Sequence, residues 1–353
     1  PPPSPPPSPP PTPPPPPVPP CRGLDRVDGT GPRSEWEDTY DYPQGYLQMS
    51  FFKATLIINN LGGFCGNADQ TAECSIISEG YNTSEPWLLY TNIGKLRKVG
   101  DAKGAELTQV DLKIEVAPGS EYKANNGAKI NGFGKNDVFG EINLGGRNED
   151  MTTAGEVNEA TFIFTLLDHI TLLPIEGLIF FAFSYFDFDH SNNRDNGQEC
   201  LTLLEPNAAS KEKYDFQMGS AINCQGSPND GQCRGSSNAP KFCSTRYGTN
   251  VDNPSHPSDG GNATIGEDGQ TTYVGGEKVV KEQAVTFEFR DVNVMKVTYS
   301  VKCCISTGRN FLFAGATSTL TPCNSPPPMM PDLPTLPPPP SPPPSPPSPP
   351  PPS

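Results

Sequence analysis

Residues 1–20 read PPPSPPPSPPPTPPPPPVPP, and residues 337–353 read PPPPSPPPSPPSPPPPS. Proline fixes φ and has no backbone N–H, so neither run can enter a helix or the interior of a sheet. What remains is polyproline II, a left-handed rod rising about 3.1 Å per residue. The first run would span roughly 60 Å and the last seventeen residues about 50 Å. Sixteen of the 45 prolines lie in residues 1–20 and eighteen in 325–353. The rest of the chain holds fewer prolines than the roughly 5% of an average protein. It is therefore a separate, folded material, long enough to bury a substantial core. The expected division is a polyproline II tail at 1–20, a folded domain at 21–324, as one body or two lobes, and a Pro/Ser-rich polyproline II tail at 325–353.

The net charge of −15 belongs to the middle, since Asp332 is the only charged residue in either tail. Such acidity argues against a nucleic-acid footprint, which would be basic. The ten cysteines all lie between the tails, and none forms a CxxC pair. Zinc-ribbon and thioredoxin readings fail, and disulfides made in an oxidising compartment are expected. Cys65–Cys74 and Cys224–Cys233 would close short loops. The neighbours Cys303 and Cys304 would point to opposite faces of a strand and staple two different partners. Asn82 and Asn262 begin N-glycosylation triplets, which agrees with secretion. No signal peptide is seen, the expectation for a processed or partial chain. The most apolar stretch, Ile170–Phe188, is interrupted by Pro174, Glu176 and Asp187, so no membrane span is expected.

Within the middle the hydrophobic period is two. Val110, Leu112, Ile114 and Val116 alternate with Asp111, Lys113 and Glu115, the pattern of a half-buried strand. Val285–Phe289 and Val297–Val301 alternate in the same way, and Gln48–Asn59 and Ala160–Leu167 also read as strands. Leu178–Phe188 is apolar on both parities and predicts a strand buried on both faces. Clusters such as Asn60-Leu61-Gly62-Gly63 and Asn143-Leu144-Gly145-Gly146 carry turn chemistry. No amphipathic helix longer than about two turns is found. Residues 223–270, poor in apolar side chains and holding three cysteines, read as a disulfide-tied loop region. The fold class expected is all-β: an antiparallel, disulfide-stapled sandwich or jelly roll flanked by polyproline II tails.

Catalysis has no support in motifs. There is no G-x-S-x-G, no H-E-x-x-H and no glycine-rich phosphate loop, and the three histidines lack ligand spacing. No enzyme and no required cofactor are expected. The densest polar run is 187–199, DFDHSNNRDNGQE. Asp187, Asp189, Asn193 and Asp195 place hard oxygen donors at short spacing after a strand, which makes calcium the candidate ion. The run departs from an EF-hand, because Gly197 falls at the eleventh position and Gln198 at the twelfth. The plainer alternative is a polar turn capping a buried strand.

The tails resemble the hydroxyproline-rich glycoproteins of plants and green algae. Ser348 followed by four prolines matches the extensin block, and Ser341-Pro342-Pro343-Pro344 is a shorter version. A disulfide-rich domain joined to Pro-Ser rods is similar to the extensin-like and pherophorin-like matrix proteins of volvocine algae. It differs in lacking the usual opening motif and in placing rods at the ends. The resemblance implies hydroxylated, arabinose-bearing prolines and galactose on serines, here at Pro2, Pro3, Ser4, Pro5, Pro6, Pro7, Pro338, Pro339, Pro340, Ser341, Pro342, Pro343 and Pro344. The function expected is a secreted structural glycoprotein of a cell wall, matrix or surface fibril. Its partners would be copies of itself, joined head-to-tail through the tails, and wall or matrix glycans. The alternative is a calcium-dependent glycan-binding module on a glycosylated stalk.

Overall fold

The computed structural model describes residues 44–49, 51, 54–63, 85–101, 105–122, 131–134, 139–145, 157–190, 197–206, 213–225, 239–248, 282–302 and 309–315, with the strand pair 263–265 and 271–273. Both proline tails lie outside the described residues, as do Asn82, Asn262, Cys65, Cys74, Cys233, Cys303 and Cys304. The described chain is all-β. In order the strands are β1 (Tyr46–Met49), β2 (Thr55–Asn59), β3 (Trp87–Leu96), β4 (Thr108–Val116), β5 (Asn131–Phe133), β6 (Gly140–Leu144), β7 (Val157–Asp168), β8 (Phe180–Phe186), β9 (Glu199–Glu205), β10 (Tyr214–Met218), β11 (Ile222–Gln225), β12 (Lys241–Ser244), β13 (Ala263–Ile265), β14 (Thr271–Tyr273), β15 (Val285–Arg290), β16 (Val294–Lys302) and β17 (Arg309–Gly315).

Fifteen strands form one hydrogen-bonded sheet, in the order β11-β12-β9-β16-β7-β4-β3-β1-β8-β17-β6-β5, with β2 on β3 and β10 on β15, which pairs β8. β13 and β14 form a separate hairpin. The long sheet folds over on itself, and β1 makes the corner. It runs antiparallel to β3 (Leu47↔Leu96) and parallel to β8 (Leu47↔Phe181). An irregularity between Tyr90 and Gly94 of β3 accompanies the corner, with Asn92 at φ 59°. An extra residue in one strand bends it and increases its twist, which helps a sheet turn.

Aromatic rings fill the space between the two layers. Phe164 of β7 meets Phe183 of β8 at 5.8 Å and Phe313 of β17 at 5.3 Å. Tyr299 of β16 stacks on Phe311 of β17 at 4.3 Å, and Phe242 of β12 meets Phe287 of β15 at 5.4 Å. These strands are not hydrogen-bonded neighbours, so only face-to-face packing of two layers brings the rings together. Edge-on and offset ring pairs of this kind each add about 0.5–1.5 kcal/mol beyond burial alone. At Gly140, across from Phe313, a Cβ would fall 2.1 Å from the ring, so the close pairing of β6 with β17 requires glycine there.

The alternating segments occupy strands β4, β15 and β16, and Ala160–Leu167 lies within β7. Four expectations need correction. The stretch Gln48–Asn59 is two strands, because the chain leaves the corner after β1 and returns as β2 on the same edge of β3. The strand predicted at Leu178–Phe188 is β8, and its first half is buried on one face only, since Phe180 and Ala182 stay partly exposed. Residues 223–270 are not all loop: β11 and β12 form a hairpin that extends the main sheet. Asp111, expected on the solvent side of β4, has no exposed surface. Its carboxylate accepts the Asn92 N–H at 2.9 Å and faces Nδ1 of His169 at 2.8 Å, so two polar partners compensate the burial.

Asp168 ends β7 and holds the turn that follows. Its Oδ1 accepts the N–H groups of Ile170 and Thr171, at 3.0 and 3.1 Å, and its Oδ2 lies 2.8 Å from Lys98 Nζ. The bond to Lys98, reinforced by those N–H groups, holds its pKa down to about 2. A lowered carboxyl pKa contributes stability above its unfolded value near 3.9 and loses it as pH falls toward 2. Asp168→Asn is expected to lower stability by about 2 kcal/mol at pH 7, the usual scale for hydrogen bonds to a charged group. Thermal melts should show the gap to the parent closing as pH drops from 5 to 2.

Candidate functional site

One end of the sandwich interior is polar. The register of β8 with β17 pairs Phe186 with Leu312. Carried three residues further on each chain, it sets Arg309 across from Asp189. The guanidinium Nη1 lies 3.0 Å from Asp189 Oδ1, and Nε lies 3.7 Å from Glu199 Oε1. Asp189 and Glu199 also clasp each other through the backbone. The Asp189 N–H donates to Glu199 Oε2 at 3.0 Å, and the Glu199 N–H donates to the Asp189 carbonyl at 3.1 Å. Ser244 of β12 donates its hydroxyl to that same carbonyl at 2.6 Å, and Gln198 Nε2 donates to the Ser244 carbonyl at 2.7 Å.

The surroundings set the charges. Glu199 is almost completely buried. Burial first, and the Asp189 carboxylate second, push its pKa well above the usual carboxylate range against the pull of Arg309, and Asp187 adds to the push. Burial opposes the charge on Arg309, but Glu199 and Asp189 outweigh it and hold the guanidinium above its ordinary value. The Tyr299 hydroxyl is raised by burial and then by Glu199, which it faces without a hydrogen bond of ordinary geometry. Gly248 closes the cluster from outside: a Cβ there would fall 1.6 Å from Asp189 Oδ2.

The pH dependence follows with a definite sign. A carboxyl whose folded pKa is raised lends stability to the fold on the acid side. Above the unfolded value near 4.3, the unfolded chain ionises freely while folded Glu199 keeps its proton, so stability falls as pH rises. Melts between pH 4.5 and 8 are expected to show this fall in the parent and a flatter profile in Glu199→Gln. Identical slopes in the two proteins would refute the assignment.

Beside the cluster, Cys200 of β9 and Cys243 of β12 are directly paired residues joined by a disulfide, with a Cα–Cα distance of 4.1 Å. This bond was not among the expected pairs. Its cysteines lie 43 residues apart, and nothing in the sequence marks them as neighbours until β9 and β12 pair. Cys224 is also disulfide-bonded, and the expected Cys224–Cys233 pair lies partly outside the described residues. Of the candidate calcium ligands, Asp187 and Asp189 follow β8, Asp187 with φ 66°. Asn193 and Asp195 lie outside the described residues. Among the described residues no group of three or more His, Cys, Asp or Glu is arranged to hold a metal ion. Glu199 closes the polar run 187–199, but Arg309, Ser244 and Tyr299 had no local signal, because each comes from a different strand. No helix among the described residues is long and apolar enough to cross a membrane.

Neither a protein-family model nor a curated protein matches the chain. Among solved structures it is similar to the N-terminal domain of the Streptococcus gordonii adhesin Sgo0707, at 12% identity and TM-score 0.34, over 65% of this chain and 47% of that one. The chain thus spans about half the length of that structure. It is also similar to the adhesin domain of PrgB from Enterococcus faecalis, at 12% identity and TM-score 0.32, over 65% and 63% of the two chains. A third similar structure is the glucan binding protein C of Streptococcus mutans, at 12% identity and TM-score 0.37, over 82% of each chain.

Proposed function

We propose that the chain is a secreted, non-enzymatic structural glycoprotein of a cell wall, matrix or surface fibril, with the sandwich as a node between glycosylated proline-rich rods. The observation that carries this reading is how the polar cluster is wired. Asp189 follows β8, while Glu199, Ser244 and Arg309 come from β9, β12 and β17, and their polar groups are turned toward one another. Such a cluster fastens layers together; a reactive site would instead aim its charged groups at a space for substrate. The Cys200–Cys243 disulfide fits an oxidising, extracellular setting. The rods, through their Ser-Pro blocks, would carry the glycans and join copies head-to-tail, a contact that propagates as a filament.

The test compares the secreted full chain with a version lacking residues 1–20 by electron microscopy, alongside hydroxyproline and arabinose analysis of each. Filaments in the parent that are lost on deletion, with sugar on the tail prolines, are expected. Filaments unchanged by the deletion would sink the role of the first tail.

A second reading, calcium-dependent glycan binding, is favoured by one feature: two acidic side chains, Asp189 at 3.0 Å and Glu199 at 3.7 Å, flank the guanidinium of Arg309. A cation entering there would compete with Arg309. Calorimetric titration with calcium, and wall-polysaccharide binding with and without EDTA, separate this reading from the first.

A further inference from the structure

The outer face of the layer formed by β9, β16, β7, β4 and β3 carries two rows of side chains open to solvent. Alternation along each strand sets them. Leu201, Val297 and Phe162 point into the ring-filled interior, so their neighbours along the chain point out. The strand registers then align those neighbours across the sheet. Lys241 pairs with Thr202, Thr202 with Thr298, and Thr298 with Thr161. In the adjacent row Glu205 pairs with Lys296, Lys296 with Ile163, Ile163 with Glu115, and Glu115 with Trp87. Glu205 is exposed and the others are partly exposed. The second row crosses five strands, about 19 Å at the usual spacing between strands.

The chemistry of these rows is polar and balanced. The Thr161 and Thr298 hydroxyls share a hydrogen bond at 2.8 Å, which fixes both while their oxygens keep capacity to accept another. Lys296 Nζ lies 3.9 Å from Glu205, and Lys113, beside the second row, is ion-paired with Glu115. Two lysines thus stand against two glutamates in the rows, although the whole chain carries −15. Such a face gives a charged partner little to steer by. It also lacks the apolar centre that a protein partner would bury. At the end of the second row Trp87 packs on Ile57, Ile58, Leu89 and Leu167. Its Nε1 is buried, so the part of the ring left to solvent is carbon, which suits the C–H face of a sugar. Lys113 Nζ lies over the ring, 4.8 Å from its centroid, and brings N–H donors to the same place.

We infer that this face binds a neutral, extended polysaccharide, with one sugar ring against Trp87 and the hydroxyls of the following sugars on Lys113, Glu115, Lys296 and the threonine row. An uncharged chain of hydroxyls meets donors and acceptors here without having to displace a net charge. An acidic polysaccharide fits less well, because the charge of the whole chain repels it. The inference rests on the wall or matrix glycans proposed above as partners, but the site needs neither the proline rods nor calcium.

The test runs the secreted full chain on native gels cast with hydroxyethylcellulose, galactomannan, laminarin or polygalacturonate, each with calcium and with EDTA. Retardation by at least one of the three neutral polysaccharides, equal in EDTA, is expected. Thr161→Val combined with Thr298→Val replaces both partners of one hydrogen bond by groups of the same shape, so the melting curve should hardly move. The affinity of that variant should nonetheless fall severalfold, and Trp87→Phe should weaken binding as well. No retardation by any neutral polysaccharide, or retardation untouched by both variants, would overturn the inference. So would stronger retardation by polygalacturonate, or binding lost in EDTA, which would move the site to the carboxylates around Arg309. Filament assembly through the first tail is read by electron microscopy, so failure here is distinguishable from failure of the structural reading.

Discussion

Arg309→Leu is expected to lose about 3–5 kcal/mol of unfolding free energy, because it strands the buried Asp189 carboxylate without its counter-charge. The guanidinium lies 3.0 Å from Asp189, and Glu199 beside it is sealed from water. Leucine restores the bulk but no charge, so the cost comes from the unpaired Asp189 carboxylate, not from a void. Urea denaturation reads it as a lower midpoint at unchanged slope. Arg309→Lys should recover only part of the loss, since an ammonium cannot address two carboxylates with a rigid fork. A loss under about 1 kcal/mol would place this ion pair with exposed ones and refute its role in joining the layers.

The second large effect belongs to the disulfide. In the chain-entropy view, closing a loop of 43 residues stabilises by about 4 kcal/mol, with measured bonds commonly at 2–4. The double substitution Cys200→Ala, Cys243→Ala leaves no free thiol at the site and should lower stability by that amount. Both residues are nearly fully buried, and the change to alanine removes little volume, so the unfolded chain accounts for most of the loss. The bond also keeps β12 beside β9, and with it Ser244 on the Asp189 carbonyl. The double variant is therefore expected to weaken the pH dependence assigned to Glu199 as well. Denaturation at two pH values checks both effects, and a stability within 1 kcal/mol of the parent would exclude the structural role.

Several features were legible because they are local. Alternation at Val110–Val116 predicts β4, and it holds because a half-buried strand must present alternate residues to one layer. The Asn60–Gly63 turn was equally plain: Gly62 and Gly63 have φ 64° and 86°, which glycine adopts without strain. The same local rule misplaced Asp111, since alternation cannot reveal that His169 and the bulged Asn92 would close over it. It also merged β1 with β2, because a corner is made by the strands on either side and leaves the hydrophobic pattern nearly unbroken.

The sequence by itself determined the division between proline-rich ends and a β-forming, cysteine-bearing middle, because fixed φ, missing donors and a two-residue period act within a few residues of one another. Only the tertiary structure decided the Cys200–Cys243 bond and the Arg309 cluster. Each depends on which strands become neighbours when the sheet folds over, and that is settled by the packing of rings such as Phe164, Phe311 and Phe313 across the layers.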